Sequence, residues 1–292
     1  MSQKYVKEFM EKNINLDVDR YIKIIKTYKN TKELLEKSGN FAKISKQGSV
    51  ATKTSIRPKN PEHEYDLDVA VQINNNNFIS KKNELEIILK NEFGNRVFRK
   101  NKCVNVVWNK EFNADYVIMQ NLNNHQSIFD ESKNKEIKSD NLNLIKNIND
   151  VFSKSTSDAL RDTSKLIKFY LRQHKEVSGL IPSIVQNLLI CVNAGSKDLG
   201  YMGQMTTTIS NIIYFLNNLK NSGTILNTYI NPSNSSIINL NIKTLIDMQN
   251  ISLVLQDLKI DIMKLSLRVL NINSEIRSKN LGSAVTEKPW KI

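Results

Sequence analysis

The sequence predicts an α+β chain, an α/β lobe with a mixed sheet followed by a helical lobe, and three observations carry that prediction. Three short runs rich in Val and aromatic residues, YDLDVAVQI, NKCVNVVW and FNADYVIMQ, read as strands of one sheet. Between the first two, SKKNELEIILKNEFG has helical periodicity and stops at Gly94, so strand and helix alternate. From residue 142 onward most of the chain carries helical apolar spacing. The division that follows is 1–140 for the α/β lobe with its N-terminal helices and 141–292 for the helical lobe.

Taken in order, the first 38 residues are expected to be helical. In DVDRYIKIIKTYKNTKELLEKSG the positions Tyr21, Ile24, Ile25 and Tyr28 share one face, Asp17 caps the start and Gly39 ends the run. Arg20, Lys23, Lys26, Lys29 and Lys32 form a winding basic ridge on the other side; a solvated face is its default reading, a nucleic-acid contact the other. The strands NKCVNVVW and FNADYVIMQ are joined by the turn-like Asn109-Lys110-Glu111. Asn121 to Asp140 is polar and reads as weakly structured. Helices are expected around 142–152, 156–176, 182–194, 205–221 and 240–270, with an extended ILNTYINP between the last two. No internal repeat and no long heptad run is visible.

Composition excludes several classes. A chain of 292 residues can bury a sizeable core, and 40% hydrophobic with 24% charged residues sets it apart from disordered and collagenous chains. The start MSQKYVKEFMEKN is charged throughout, and the richest apolar stretch, GLIPSIVQNLLICV, is broken by Pro182, Ser183, Gln186 and Asn187. No membrane segment and a cytoplasmic location are therefore expected. Two cysteines, Cys103 and Cys191, read as buried thiols of a reducing compartment. His63, His125 and His174 stand in no metal-ligand spacing and read as surface or cap residues. The net charge is +13, and the first 60 residues hold 14 Lys and Arg against 6 Asp and Glu. That favours a polyanionic ligand, a nucleotide or nucleic acid. Compositional bias, as in the run Asn74 to Asn77, is the competing explanation.

The chemistry is concentrated in the acidic strand. Side chains alternate along a strand, so Asp66, Asp68 and Ala70 share one face and Leu67, Val69 and Val71 the other. Two carboxylates at this spacing repel when partly desolvated, and a divalent cation between them reverses the sign. On its own such a strand reads first as an edge with its polar face in water. A third acid, Asp115, interrupts the apolar strand FNADYVIMQ with Asn113 and Val117 on its side. If that strand lies beside the first, three carboxylates converge, which is what a pair of Mg²⁺ ions needs. Gly48 permits close backbone approach, and the Ser49 hydroxyl with nearby N–H groups can hold phosphate oxygens.

This order, Gly48-Ser49, then Asp66-Leu67-Asp68-Val69, then a single Asp115 on a later strand, resembles the signature of the polymerase-β-like nucleotidyltransferases. The wording QGSVATKTSIRP followed by EYDLDVAV is similar to the corresponding stretch of the CD-NTases, bacterial relatives of cyclic GMP-AMP synthase and oligoadenylate synthetase. In the helical lobe, SKLIKFYLRQHK, GLIPSIVQNLLI and INPSNSSI resemble their Lys-bearing helix, Pro-Ser helix and Asn-Pro segment. The resemblance implies a polymerase-β-like lobe and a helical lobe with the active site in the cleft between them. It implies that Asp66 and Asp68 bind both metals. Asp115 would bind the metal that activates the acceptor hydroxyl, and could serve as its base. Gly48 and Ser49 would contact the donor triphosphate, and Lys168 and Ser183 would reach the phosphates. Taken alone, Lys168 reads as a solvated helix lysine. Two departures stand out: Lys53 where the family often has glycine, and no proline soon after Asp115. Arg57 and Lys59 in the same loop are read either as triphosphate contacts or as solvated.

The implied function is template-independent synthesis of a cyclic di- or trinucleotide, or a short oligonucleotide, from NTPs with two Mg²⁺ ions, Mn²⁺ substituting, in bacterial anti-phage signalling. Implied partners are the NTPs, a nucleic-acid or protein activator, and a downstream effector that senses the product. Two alternatives remain at this point. One is an enzyme of the same fold that modifies RNA or protein, and the other is a basic nucleic-acid-binding module without catalysis.

Overall fold

The computed structural model describes residues 2–58, 65–74, 77–110, 112–122, 125–230 and 237–267. Lys59, His63, Glu111 and most of the Asn-Pro segment INPSNSSI lie outside the described residues. Contacts divide the chain into two compact units. One comprises Leu16–Asp150 with Thr228–Asn239; the other comprises Met1–Asn15, Val151–Asn227 and Leu240–Ile292.

The first of these units is built on a seven-stranded mixed sheet. Its strands are β1 (Lys43–Lys46), β2 (Tyr65–Ile73), β3 (Val97–Arg99), β4 (Val104–Asn109), β5 (Phe112–Leu122), β6 (His125–Asp130) and β7 (Lys135–Lys138). The order is β1-β2-β5-β4-β3, with β6 paired to β5 and β7 to β6. Among the described strands only β2 and β5 run parallel. A parallel pair needs a long crossover, and here the chain passes through α4 (Phe78–Phe93), β3 and β4 before β5 is laid down. Asn77 caps α4 and Gly94, at φ +59°, ends it as its sequence predicts. The stretch 121–140, expected to be weakly structured, instead completes the sheet: Ile128 pairs with Met119 and with Ile137. Short, largely polar strands such as HQSIFD and KEIK lack the apolar alternation that would reveal them.

One face of the sheet is apolar. Leu67, Val69 and Val71 of β2, Ala114, Tyr116 and Ile118 of β5, and Val104 and Val106 of β4 pack with Leu85 and Leu89 of α4 and with Ile24 and Leu35 of α2 (Val18–Lys37). The Asp17 carboxylate accepts from the Arg20 N–H at 2.8 Å and starts α2, as its sequence predicts. The buried stripe of α2 differs from the expected one: Ile24, Thr27, Thr31 and Leu35 face inward, and Tyr21 is 49% exposed. Thr31 can occupy that stripe because its hydroxyl donates to the Thr27 carbonyl at 2.9 Å and accepts from the Tyr116 hydroxyl at 3.1 Å. Lys23, Lys26 and Lys29 of the basic ridge are exposed, whereas Arg20 pairs with Asp17 and Lys32 with Glu36.

Between β1 and β2 lies the short helix α3 (Gly48–Thr52), which ends on Lys53 in the left-handed region at φ 58°, ψ 34°. The glycine common in the resembling family is explained by this backbone. A Cβ in that conformation costs about 1–2 kcal/mol. Lys53→Gly is therefore expected to raise unfolding stability by about 1 kcal/mol, read as a higher midpoint in urea; a lower midpoint would show that the lysine side chain outweighs the backbone strain.

The other unit is helical: α1 (Ser2–Asn13), α6 (Ala159–Gln173), α7 (Ser183–Val192), α8 (Gly200–Asn221) and α9 (Leu245–Leu267), entered through α5 (Asn141–Ser153). Its core includes Leu166, Ile167 and Leu171 of α6, Ile209, Ile212 and Leu216 of α8, and Ile251, Leu255 and Leu258 of α9. The units do not divide at residue 140. α1 buries Val6 and Met10 and packs with α8 and α9, so the first 15 residues belong to the helical unit, and α5 stays with the sheet through Asp150. The extended segment before α9 contains β8 (Thr228–Ile230), paired with β9 (Ile237–Asn239). No described helix is long and apolar enough to cross a membrane.

Candidate active site

Strand register determines which face each acid reaches, since a slip of one residue would turn it to the other side. The parallel β2–β5 pair opens with Tyr65 opposite Phe112, their rings stacked at 4.8 Å. From there Asp66 lies opposite Asn113 and Asp68 opposite Asp115. Adjacent strands are about 4.8 Å apart and register partners point to the same side, so Asp68 and Asp115 are neighbours, with Asp66 one pleat repeat away. β4 contributes Asn105, opposite Asp115. The polar row Asp66, Asp68, Asn113, Asp115 and Asn105 crosses three strands on the face opposite the apolar core. Asp66 is exposed; Asp68 and Asp115 are half-buried.

Asp115 is compensated by donors from β4 and from the β3–β4 turn. The Asn105 amide, 4% exposed, donates to its Oδ1 at 2.7 Å and to Asn113 Oδ1 at 3.1 Å. The Lys100 ammonium, at the start of the β3–β4 turn, stands 3.0 Å from Oδ1 and 3.4 Å from Oδ2. Burial disfavours that ammonium, but Asp115, helped by Cys103 and Asp66, outweighs burial and raises the Lys100 pKa. Burial, then Asp115, pushes the Cys103 thiol up to about 12. Among the described residues no three His, Cys, Asp or Glu side chains are drawn together closely enough to hold an ion as they stand.

The Gly-Ser pair lies against the acidic strand. The Gln47 N–H donates to the Asp68 carbonyl at 2.7 Å, and the chain then turns through Gly48 at φ +57°. A Cβ on Gly48 would sit 2.1 Å from Asp68 Oδ2, so only glycine lets the backbone pass this carboxylate. Ser49 follows, its hydroxyl 3.0 Å from that of Ser55 and its carbonyl accepting from Thr54 N–H at 2.8 Å. Five of the expected site residues, Gly48, Ser49, Asp66, Asp68 and Asp115, are thus brought to one end of one sheet.

Lys168 and Ser183 belong to the helical unit. Lys168 is 7% exposed, not the solvated helix lysine its sequence alone allows. The Ser164 hydroxyl of α6 donates to Asn187 Oδ1 of α7 at 2.5 Å. Lys168 lies one turn after Ser164 and Ser183 one turn before Asn187, each on the face its neighbour uses. Two polar residues of the sheet site were not foreseen. Asn105 interrupts the apolar run VNVVW as Asp115 interrupts its own strand, a signal that could have found it. Lys100 sits in a lysine-rich turn, where nothing in the sequence distinguishes it.

Residues 42–119 match the family described as cyclic GMP-AMP synthase DncV-like, nucleotidyltransferase domain. Among solved structures, the fold is similar to that of the CD-NTase CdnG of Bradyrhizobium diazoefficiens in complex with GTP, with TM-score 0.72, 14% identity, and 90% of this chain and 92% of that chain covered. It is also similar to E. coli MS115-1 CdnC with ATP, with TM-score 0.63, 17% identity and coverage of 91% and 95%. The Vibrio cholerae DncV cyclic AMP-GMP synthase gives TM-score 0.58, 14% identity and coverage of 78% and 67%. At these identities the likeness carries the fold. No curated protein matches the sequence.

Proposed function

We propose that this chain, whose residues 42–119 match the DncV-like nucleotidyltransferase domain and whose fold is similar to that of the CD-NTase CdnG, joins NTPs, without a template, into a cyclic di- or trinucleotide or a short oligonucleotide that serves as a second messenger in bacterial anti-phage signalling. The observation that carries this reading is the register of β2 on β5, which puts Asp68 beside Asp115 with Asp66 on the same face and Gly48 against Asp68.

The acids fit a pair of Mg²⁺ ions, or Mn²⁺ in their place. They are hard oxygen donors on a face turned from the apolar core, and one of them already draws a cation, the Lys100 ammonium. Asp66, Asp68 and Asp115 would hold the ions, which when bound would offset triphosphate charge and polarise the attacking and leaving oxygens. The chain's own residues do the rest. Gly48 keeps the backbone clear of the Asp68 carboxylate, and Ser49 is assigned to the donor triphosphate. Asn105 donates to one oxygen of Asp115 and so fixes the carboxylate plane. In the reaction a ribose hydroxyl attacks the α-phosphorus, its proton passes to Asp115, and the bond to pyrophosphate breaks. Lys168 and Ser183 are assigned to the triphosphate, where a lysine offsets charge the ions leave over.

The chemistry of relatives supports NTPs as substrates: CdnG is seen with GTP and CdnC with ATP. CdnC is also seen with a HORMA protein, which supports a protein partner here. A separate effector that senses the product completes the proposal. The test is mass spectrometry of products formed from all four NTPs with Mg²⁺ or Mn²⁺, with and without activator. The expected result is pyrophosphate with a cyclic or short linear oligonucleotide. Nucleotides found only on RNA or protein would move the assignment to a modifying enzyme, and no pyrophosphate under any combination would end it.

A further inference from the structure

The cation on Asp115 is held in place by more than its own side chain. Lys82 of α4, 4% exposed, sends its ammonium into the β3–β4 turn, donating to the carbonyls of Lys100 at 2.6 Å and Asn101 at 3.0 Å and to Glu131 Oε2 at 2.8 Å. The Glu131 N–H donates in turn to the Asn101 carbonyl at 3.2 Å. Just before the turn, Arg99 is tied to Asn83 at 2.7 Å, to Glu86 at 2.8 Å and to Glu131. The turn closes on itself through Lys100 N–H to the Cys103 carbonyl at 2.9 Å. A half-exposed lysine on a free loop would spend little time on one carboxylate, because holding a long side chain costs entropy. Here the backbone of Lys100 is fastened by a buried ammonium, and only the side chain remains to be ordered.

We propose that Lys100 is a tethered counter-ion of Asp115, positioned by the Lys82-held turn, which a divalent cation must displace to reach the third carboxylate. The inference rests on the reading of Asp115 as a metal ligand. Lys100 competes for the oxygens that the ion needs, since both Oδ1 and Oδ2 lie within 3.4 Å of its ammonium. It also screens Asp115 from Asp68 while no ion is there, which lets the acids share a face without mutual repulsion dominating. The device sets the concentration of free metal at which the site loads.

The test uses Mn²⁺ alone, without nucleotide, titrated into the full chain and read by electron paramagnetic resonance. Lys100→Met keeps the stem and removes the charge, and its side chain is half exposed, so the fold tolerates it. The expected result is Mn²⁺ binding about fivefold tighter than wild type, the scale of a partly exposed ion pair. Lys100→Arg is expected to bind as wild type, and Lys100→Met is expected to have no effect on Mn²⁺ binding in an Asp115→Asn background. If Asp115→Asn weakens Mn²⁺ binding at this site but Lys100→Met leaves the affinity unchanged or weaker, the counter-ion inference is overturned and the functional reading stands. If Mn²⁺ binding is absent in the wild type or indifferent to Asp115→Asn, both are overturned.

Discussion

Replacing Asp66 or Asp68 by asparagine is expected to lower pyrophosphate release about 10³-fold or more, the scale on which removing a charged group from a transition-state clamp acts. The substitution keeps size and shape, so the loss cannot be ascribed to packing. Stability should move the other way. Asp68 lies beside Asp115 across two neighbouring strands, and a like-charge pair at that separation is destabilising wherever it is partly desolvated. Asp68→Asn is therefore expected to leave the unfolding midpoint unchanged or to raise it. Circular dichroism melts beside the activity assay check both halves. A variant that loses activity and stability together would mark the acid as structural.

Gly48→Ala is expected to cost activity about 10²-fold and stability about 1–3 kcal/mol. Two independent effects add here. The backbone is held at φ +57°, where an L side chain is strained, and the new methyl would meet Asp68 Oδ2 at 2.1 Å. Either the turn into α3 moves or the carboxylate does, and both carry the proposed triphosphate site. Ser49→Ala, whose hydroxyl meets only Ser55 among the bonds seen, is expected to do less to stability than Gly48→Ala. The comparison is read by urea unfolding and by initial rates. A Gly48→Ala chain with wild-type rate would show that the turn has no part in the reaction.

The acids were legible in the sequence because charge inside an apolar strand is conspicuous. YDLDVAVQI and FNADYVIMQ are strands β2 and β5, and alternation places their aspartates on the polar side. Which residue of one strand stands beside which residue of the other could not be read, since register is set by contacts such as Tyr65 on Phe112 that span 47 positions. Charge in turns carries no such contrast. Lys82 and Lys100 look like any of the chain's lysines, and only the fold makes one a buried clamp and the other a partner of Asp115. Hydropathy misplaces the α2 stripe because Thr31 is admitted by hydrogen bonds to the Thr27 carbonyl and the Tyr116 hydroxyl, which hydropathy does not register. The hairpin of β6 and β7 is not legible in the sequence because its strands are short and lack apolar alternation.

The central claim is that Asp115 works with Asp66 and Asp68 in one phosphoryl-transfer site. Initial rates of pyrophosphate release from NTPs with Mg²⁺, compared between wild type and Asp115→Asn, test it most directly. The account predicts a loss of about 10³-fold with the melting temperature preserved. An Asp115→Asn chain that retains a near wild-type rate would contradict it.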